Sequence, residues 1–83
     1  MTQRDKLLEG LEGLLRTMED ALKERERGLR ACLCANRVSN IDEIEDLQQY
    51  KVALDVSEQV DALKDFIEDL KLQINIFGAF KYL

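Results

Sequence analysis

From residue 56 onward, apolar side chains recur at alternating steps of four and three: Val56, Val60, Leu63, Ile67, Leu70, Ile74 and Phe77. That rhythm lays side chains along one seam of an α-helix and does not fit the two-residue alternation of a strand. The seam runs into a tail in which Leu72, Ile74, Ile76, Phe77, Ala79, Phe80, Tyr82 and Leu83 leave a helix no solvated face. A chain of 83 residues has little core in which to hide such a surface.

A second stripe lies upstream. Over residues 4–34, Leu8, Leu11, Leu15, Met18, Leu22, Leu29 and Cys32 keep the same rhythm, interrupted only by Arg25, while Leu7, Leu14, Ala21 and Leu33 widen it on its flank. Thr2 has the position of an N-cap, with Asp5 placed to answer it three residues later. Gly10 and Gly13 each cost about 1 kcal/mol of helix propensity relative to alanine. They mark either a soft opening to the helix or a place where another backbone comes close.

The break is Ala35-Asn36-Arg37-Val38-Ser39-Asn40, in which Asn36 or Arg37 can close the first helix. Asn40 with Glu43, or Ser39 with Asp42, has the spacing of a capping box, and Asp42, Glu43, Glu45 and Asp46 would then favour the first turns of a second helix. The sequence therefore predicts one all-α domain, an antiparallel two-helix hairpin: helix one over about 4–34, a turn over 35–40, helix two over about 41–77 and an apolar tail over 78–83. The connection is too short for any other pairing. The hairpin should bury Leu8, Leu11, Leu15, Met18, Leu22 and Leu29 against helix two. Helix two carries more apolar surface than one stripe can cover, with Ile41, Ile44, Leu47, Tyr50 and Leu54 leading in and Phe66, Leu72, Ile76 and Phe80 off the seam.

Charge narrows the function classes. Net charge is −5, and residues 41–70 hold ten acidic side chains against Lys51 and Lys64. Nucleic acid and anionic bilayers both call for a cationic footprint, so both are disfavoured. No run approaches the eighteen apolar residues of a membrane span, and the start lacks a secretory-type apolar core, so the expected location is the cytoplasm. The chain has no histidine, no glycine-rich phosphate loop and no base placed to activate Ser39 or Ser57. Cys32 and Cys34 diverge on a helix and cannot complete a zinc site by themselves. An enzyme, a cofactor and a metal are therefore not expected. Arg25, on the seam, either snorkels or pairs with a carboxylate of helix two.

What remains is protein binding. Residues Tyr50, Leu54, Val60, Leu63, Phe66, Ile67, Leu70, Ile74, Phe77 and Phe80 are the expected partner-binding set, because large apolar patches with aromatic anchors mark interfaces. The tail, with Phe77, Phe80 and Tyr82, serves either as part of that surface or as a plug folded over the hairpin end.

The run Gln49-Tyr50, Ala53-Leu54, Val56, Glu58, Val60, Leu63, Phe66-Ile67 and Leu70 resembles the second helix of the small type III secretion needle co-chaperones, the YscE/SsaE-like family. Those proteins share a layout of two antiparallel helices joined by a polar turn, and the resemblance spans about residues 5–75. The tail and the Cys32/Cys34 pair depart from it. The resemblance implies a cytoplasmic protein that pairs with a larger helical-repeat chaperone and holds the needle subunit unpolymerised until export. It assigns that contact to Tyr50, Leu54, Val60, Leu63, Ile67 and Leu70. Two alternatives stand beside it: a homo-oligomeric coiled-coil scaffold or regulator, and the self-assembling needle subunit, whose usual proline-containing turn is missing here.

Overall fold

In the computed structural model, which describes residues 2–79, two long helices pack antiparallel. Helix α1 spans Gln3–Ala35 and helix α2 spans Leu47–Ala79, with a short 3-10 turn at Ile41–Glu43 between them. No strand occurs among the described residues. The fold is the expected all-α hairpin. At a rise of about 1.5 Å per residue each helix is about 50 Å long, which accounts for a rod of 56 × 17 × 16 Å.

Local chemistry fixes the ends of α1. The Thr2 hydroxyl accepts from the Asp5 backbone N–H at 3.2 Å, and Asp5 Oδ2 accepts from the Thr2 N–H at 3.4 Å, completing the expected capping box. At the other end Asn36 is the C-cap and its side-chain amide donates to the Cys32 carbonyl at 2.8 Å. Arg37 then takes a left-handed conformation with φ 56°. The Val38 N–H reaches the Leu33 carbonyl and the Arg37 N–H reaches that of Cys34, both at 3.1 Å. This is a Schellman closure built without glycine.

The second helix begins later than its sequence suggests. Asn40 caps only the 3-10 turn, accepting from the Asp42 N–H at 3.4 Å, while Glu43 reaches back to the Ser39 N–H at 3.1 Å. The chain then extends through Ile44 (ψ 117°), and α2 starts at Leu47, capped by Asp46 Oδ1 on the Gln49 N–H at 3.0 Å. Asp42, Glu43, Glu45 and Asp46 thus lie in the connection and not in the first turns of α2. Continuous helix through 42–46 would stack Asp42 on Glu45 and Asp46, and Glu43 on Asp46, at like-charge spacings that destabilise it. The break also turns Ile44 inward, where it is buried.

The core is a single seam. Its buried apolar side chains are Ile44, Ala53, Val60, Ile67 and Leu70, and α1 contributes none. Leu8, Leu11, Leu15, Met18, Leu22 and Leu29, expected to be buried, are only half-buried. The reason is geometric. Two cylinders touch along one line, and the longer leucine side chains of α1 overhang the narrower Ala/Val/Ile ridge of α2.

Candidate functional site

Two cross-helix contacts set the pairing of the helices. Lys71 Nζ lies 3.7 Å from Glu19 Oε2, and the Arg4 guanidinium lies 5.9 Å from the centre of the Phe77 ring. Glu19 belongs to the seven-residue column Asp5, Glu12, Glu19, Glu26 and Leu33, and Lys71 to the column Tyr50, Ser57, Lys64, Lys71 and Gly78. Both columns border the seam on one edge of the rod. That edge is polar and self-matched, with acids on α1 facing lysines on α2.

Antiparallel pairing brings the two remaining border columns together on the opposite edge. On α1 these are Leu7, Leu14, Ala21, Gly28 and Ala35; on α2 they are Val52, Gln59, Phe66 and Gln73. Neither column holds a charge. Leu7 is 59% exposed, Leu14 43%, Val52 51% and Phe66 48%. The half-buried seam residues Leu11, Met18, Leu63 and Phe77 form the floor between these walls. An open hollow of about 500 Å³ lies at the α1 N-terminal end of this flank, lined among the described residues by Gln3, Lys6, Leu7, Gly10 and Leu11. Adding a Cβ at Gly10 or Gly13 would meet nothing within 4 Å among the described residues.

The expected partner-binding residues divide across this geometry. Val60, Ile67 and Leu70 are buried between the helices, so a partner reaches them only by opening the hairpin. Leu63, Ile74 and Phe77 are half-buried along the seam, and Tyr50 is half-buried on the polar edge. Phe66 lies on the uncharged flank, Leu54 on the outer face of α2, and Phe80 outside the described residues. Phe80 and Tyr82 of the tail share that position, so the choice between plug and interface lies outside them too. Leu72 and Ile76, 55% and 45% exposed, extend apolar surface from the flank onto the outer face near the C-terminal end of α2.

Val52 is the flank residue that periodicity reading passed over. A column at 52, 59, 66 and 73 with no charge in a chain that is 35% charged is the signal that exposes it. Arg25 holds its seam position with an exposed side chain, and among the described residues it forms no ion pair with a carboxylate of α2. Cys32 is half-buried on the seam and Cys34 exposed.

No family model, curated protein or solved structure matches the chain. The arrangement of its own residues therefore carries the functional reading. Among those described, no polar or charged side chain is buried, no group of His, Cys, Asp or Glu is placed to hold a metal, and no helix is long and apolar enough to cross a membrane. Of the carboxylates of the connection, Glu43 and Asp46 accept backbone N–H groups as caps. What the geometry offers is a long flank bordered by two uncharged columns, one on each helix.

Proposed function

We propose that this chain is a non-enzymatic protein-binding module whose uncharged flank takes a helix of another protein. Its fullest form is a cytoplasmic co-chaperone that pairs with a larger helical-repeat chaperone to keep a type III secretion needle subunit unpolymerised. The observation that carries the binding role is the flank itself: Leu7, Leu14, Val52 and Phe66 stand exposed along one edge while the opposite edge is matched by Glu19 and Lys71. Exposed apolar surface of this extent on a small chain marks an interaction site. The co-chaperone form is supported by the Gln49-Tyr50 to Leu70 resemblance and by the two-helix layout.

The test is co-expression of the full chain with helical-repeat and needle-type chains encoded by the same genome. The expected result is a soluble complex of defined mass that contains this chain and leaves the needle-type chain unpolymerised. Phe66→Asp should abolish that complex. A needle-type chain that polymerises equally with and without this protein, and no complex with either candidate, would remove the co-chaperone reading.

A further inference from the structure

The rod is too exposed for its mass. Its accessible surface is 6474 Å², whereas a compact chain of 9.6 kDa exposes roughly 5,100 Å². The excess, about 1,400 Å², is spread along the elongated rod, and a standard interface needs roughly 800 Å² of surface from each partner. Half-buried leucines along α1 and the exposed side chains of the flank contribute to that excess.

We infer that a second copy of this chain covers the uncharged flank. The product is a two-fold symmetric four-helix bundle in which α1 of each copy lies beside α2 of the other. It rests on the same flank as the partner-binding reading, so the second copy and a foreign helix compete for one surface.

Three features select this occupant and this arrangement. The first is sidedness. Only one edge of the rod has border columns without charge, so each copy has one such surface and association through it closes as a dimer; an isologous contact of this kind does not propagate into a filament. The second is shape. The α1 wall runs from the leucines Leu7 and Leu14 to the small residues Ala21, Gly28 and Ala35, and Gly10 lies open beside it. The α2 wall supplies Phe66 and Val52 as projections. Projections on α2 of one copy and small positions on α1 of the other are complementary, and the two-fold axis uses each pair twice.

The third feature is charge. Helix α2 carries Asp55, Glu58, Asp61, Asp65, Glu68 and Asp69 against Lys51, Lys64 and Lys71, so two such helices side by side repel. Helix α1 is balanced, with Arg25 exposed on the flank side of its seam and no ion pair to it among the described residues. Setting α1 beside the other copy's α2 keeps the two acidic helices on a diagonal and brings Asp69, within about one helical turn of the level of Arg25, toward it.

Sedimentation equilibrium on the full chain over a wide concentration series tests this. The expected result is a single monomer–dimer step. Phe66→Asp should weaken the dimer by about a hundredfold or more, since the flank gives the new carboxylate no partner. In case that variant unfolds, Gln73→Glu adds a charge at an already polar, exposed position and should weaken the dimer by at least about tenfold with helical content retained. Glu12→Gln, on the polar edge, should leave the dimer unchanged. A monomer throughout the series, a larger or open-ended assembly, or a dimer indifferent to both flank variants would overturn the inference. A monomer that still binds a foreign chain through Phe66 removes the dimer and keeps the partner reading. A dimer that no foreign chain displaces does the reverse.

Discussion

Phe66 and Ile67 are neighbours in sequence that the hairpin assigns to different tasks, and the larger of them should matter less for folding. Ile67 is 5% exposed on the seam, and Phe66 is 48% exposed on the flank. Truncating a buried isoleucine to alanine costs about 2–5 kcal/mol, the cost rising with the cavity that stays open. This seam is one layer deep and its larger side chains all keep some exposure, so neighbours and water relieve part of the cavity. A cost of about 3 kcal/mol for Ile67→Ala is therefore expected. Full burial of a phenylalanine gains about 1.5–3 kcal/mol, so a half-covered one should cost about 1 kcal/mol when truncated. With a urea slope of about 1 kcal/mol per molar for a chain this small, the midpoint should fall by about 3 M for Ile67→Ala and about 1 M for Phe66→Ala. Urea titration followed by circular dichroism, at a concentration where the chain is monomeric, reads both. The condition matters because any species that binds only the folded state adds to apparent stability. Equal losses, or a larger loss for Phe66→Ala, would mean that the flank and not the seam holds the hairpin together, and the division of tasks would be refuted.

Other substitutions test the local chemistry. Arg37→Gly should stabilise the chain by about 0.5–1 kcal/mol, because φ 56° is free for glycine and strained for arginine; a lower melting temperature would refute the Schellman closure. Asp46→Ala should cost about 1 kcal/mol through loss of the α2 N-cap, whereas Asn40→Ala, which caps only a 3-10 turn, should cost less; chemical denaturation ranks the two. Gly13→Ala should add about 1 kcal/mol by helix propensity, since its Cβ meets nothing within 4 Å; no gain in melting temperature would mean that the backbone there has a neighbour. Lys71→Ala should change stability by less than about 0.5 kcal/mol, since both members of its ion pair with Glu19 are well exposed.

The hairpin was legible in the sequence because its signals are local. The four-three ladder from Val56 to Phe77, the Thr2/Asp5 box and the closure near Asn36 each depend on residues within one or two turns, and each occurs where its chemistry places it. The start of α2 was not legible, because Asn40 and Asp46 both offer a cap and the choice is decided by Ile44, which gains burial only if the helix waits until Leu47. The candidate site was half legible for a related reason. Periodicity identifies which residues share a column but not which column meets which across the hairpin. Val60, Ile67 and Leu70 were therefore grouped with Phe66, although the pairing buries the first three inside the chain.

That pairing also leaves the two edges of the hairpin in different environments. A seam between two helices has two edges, and each half-buried side chain along it is wetted from whichever edge is open. Here Glu19 faces Lys71 in a border column that also holds Glu12, Glu26 and Lys64, a border that tolerates water because its groups are charged. The other border holds leucine, valine, phenylalanine and small residues, for which water is a poor neighbour. A third element laid along that border removes Leu7, Leu14, Val52 and Phe66 from solvent and also completes the burial of Leu11, Met18, Leu63 and Phe77 behind them. Each docking contact therefore strengthens the seam it covers. If such an element docks there, a substitution confined to the flank should lower the apparent stability of the assembly by more than the about 1 kcal/mol that Phe66→Ala costs the isolated hairpin.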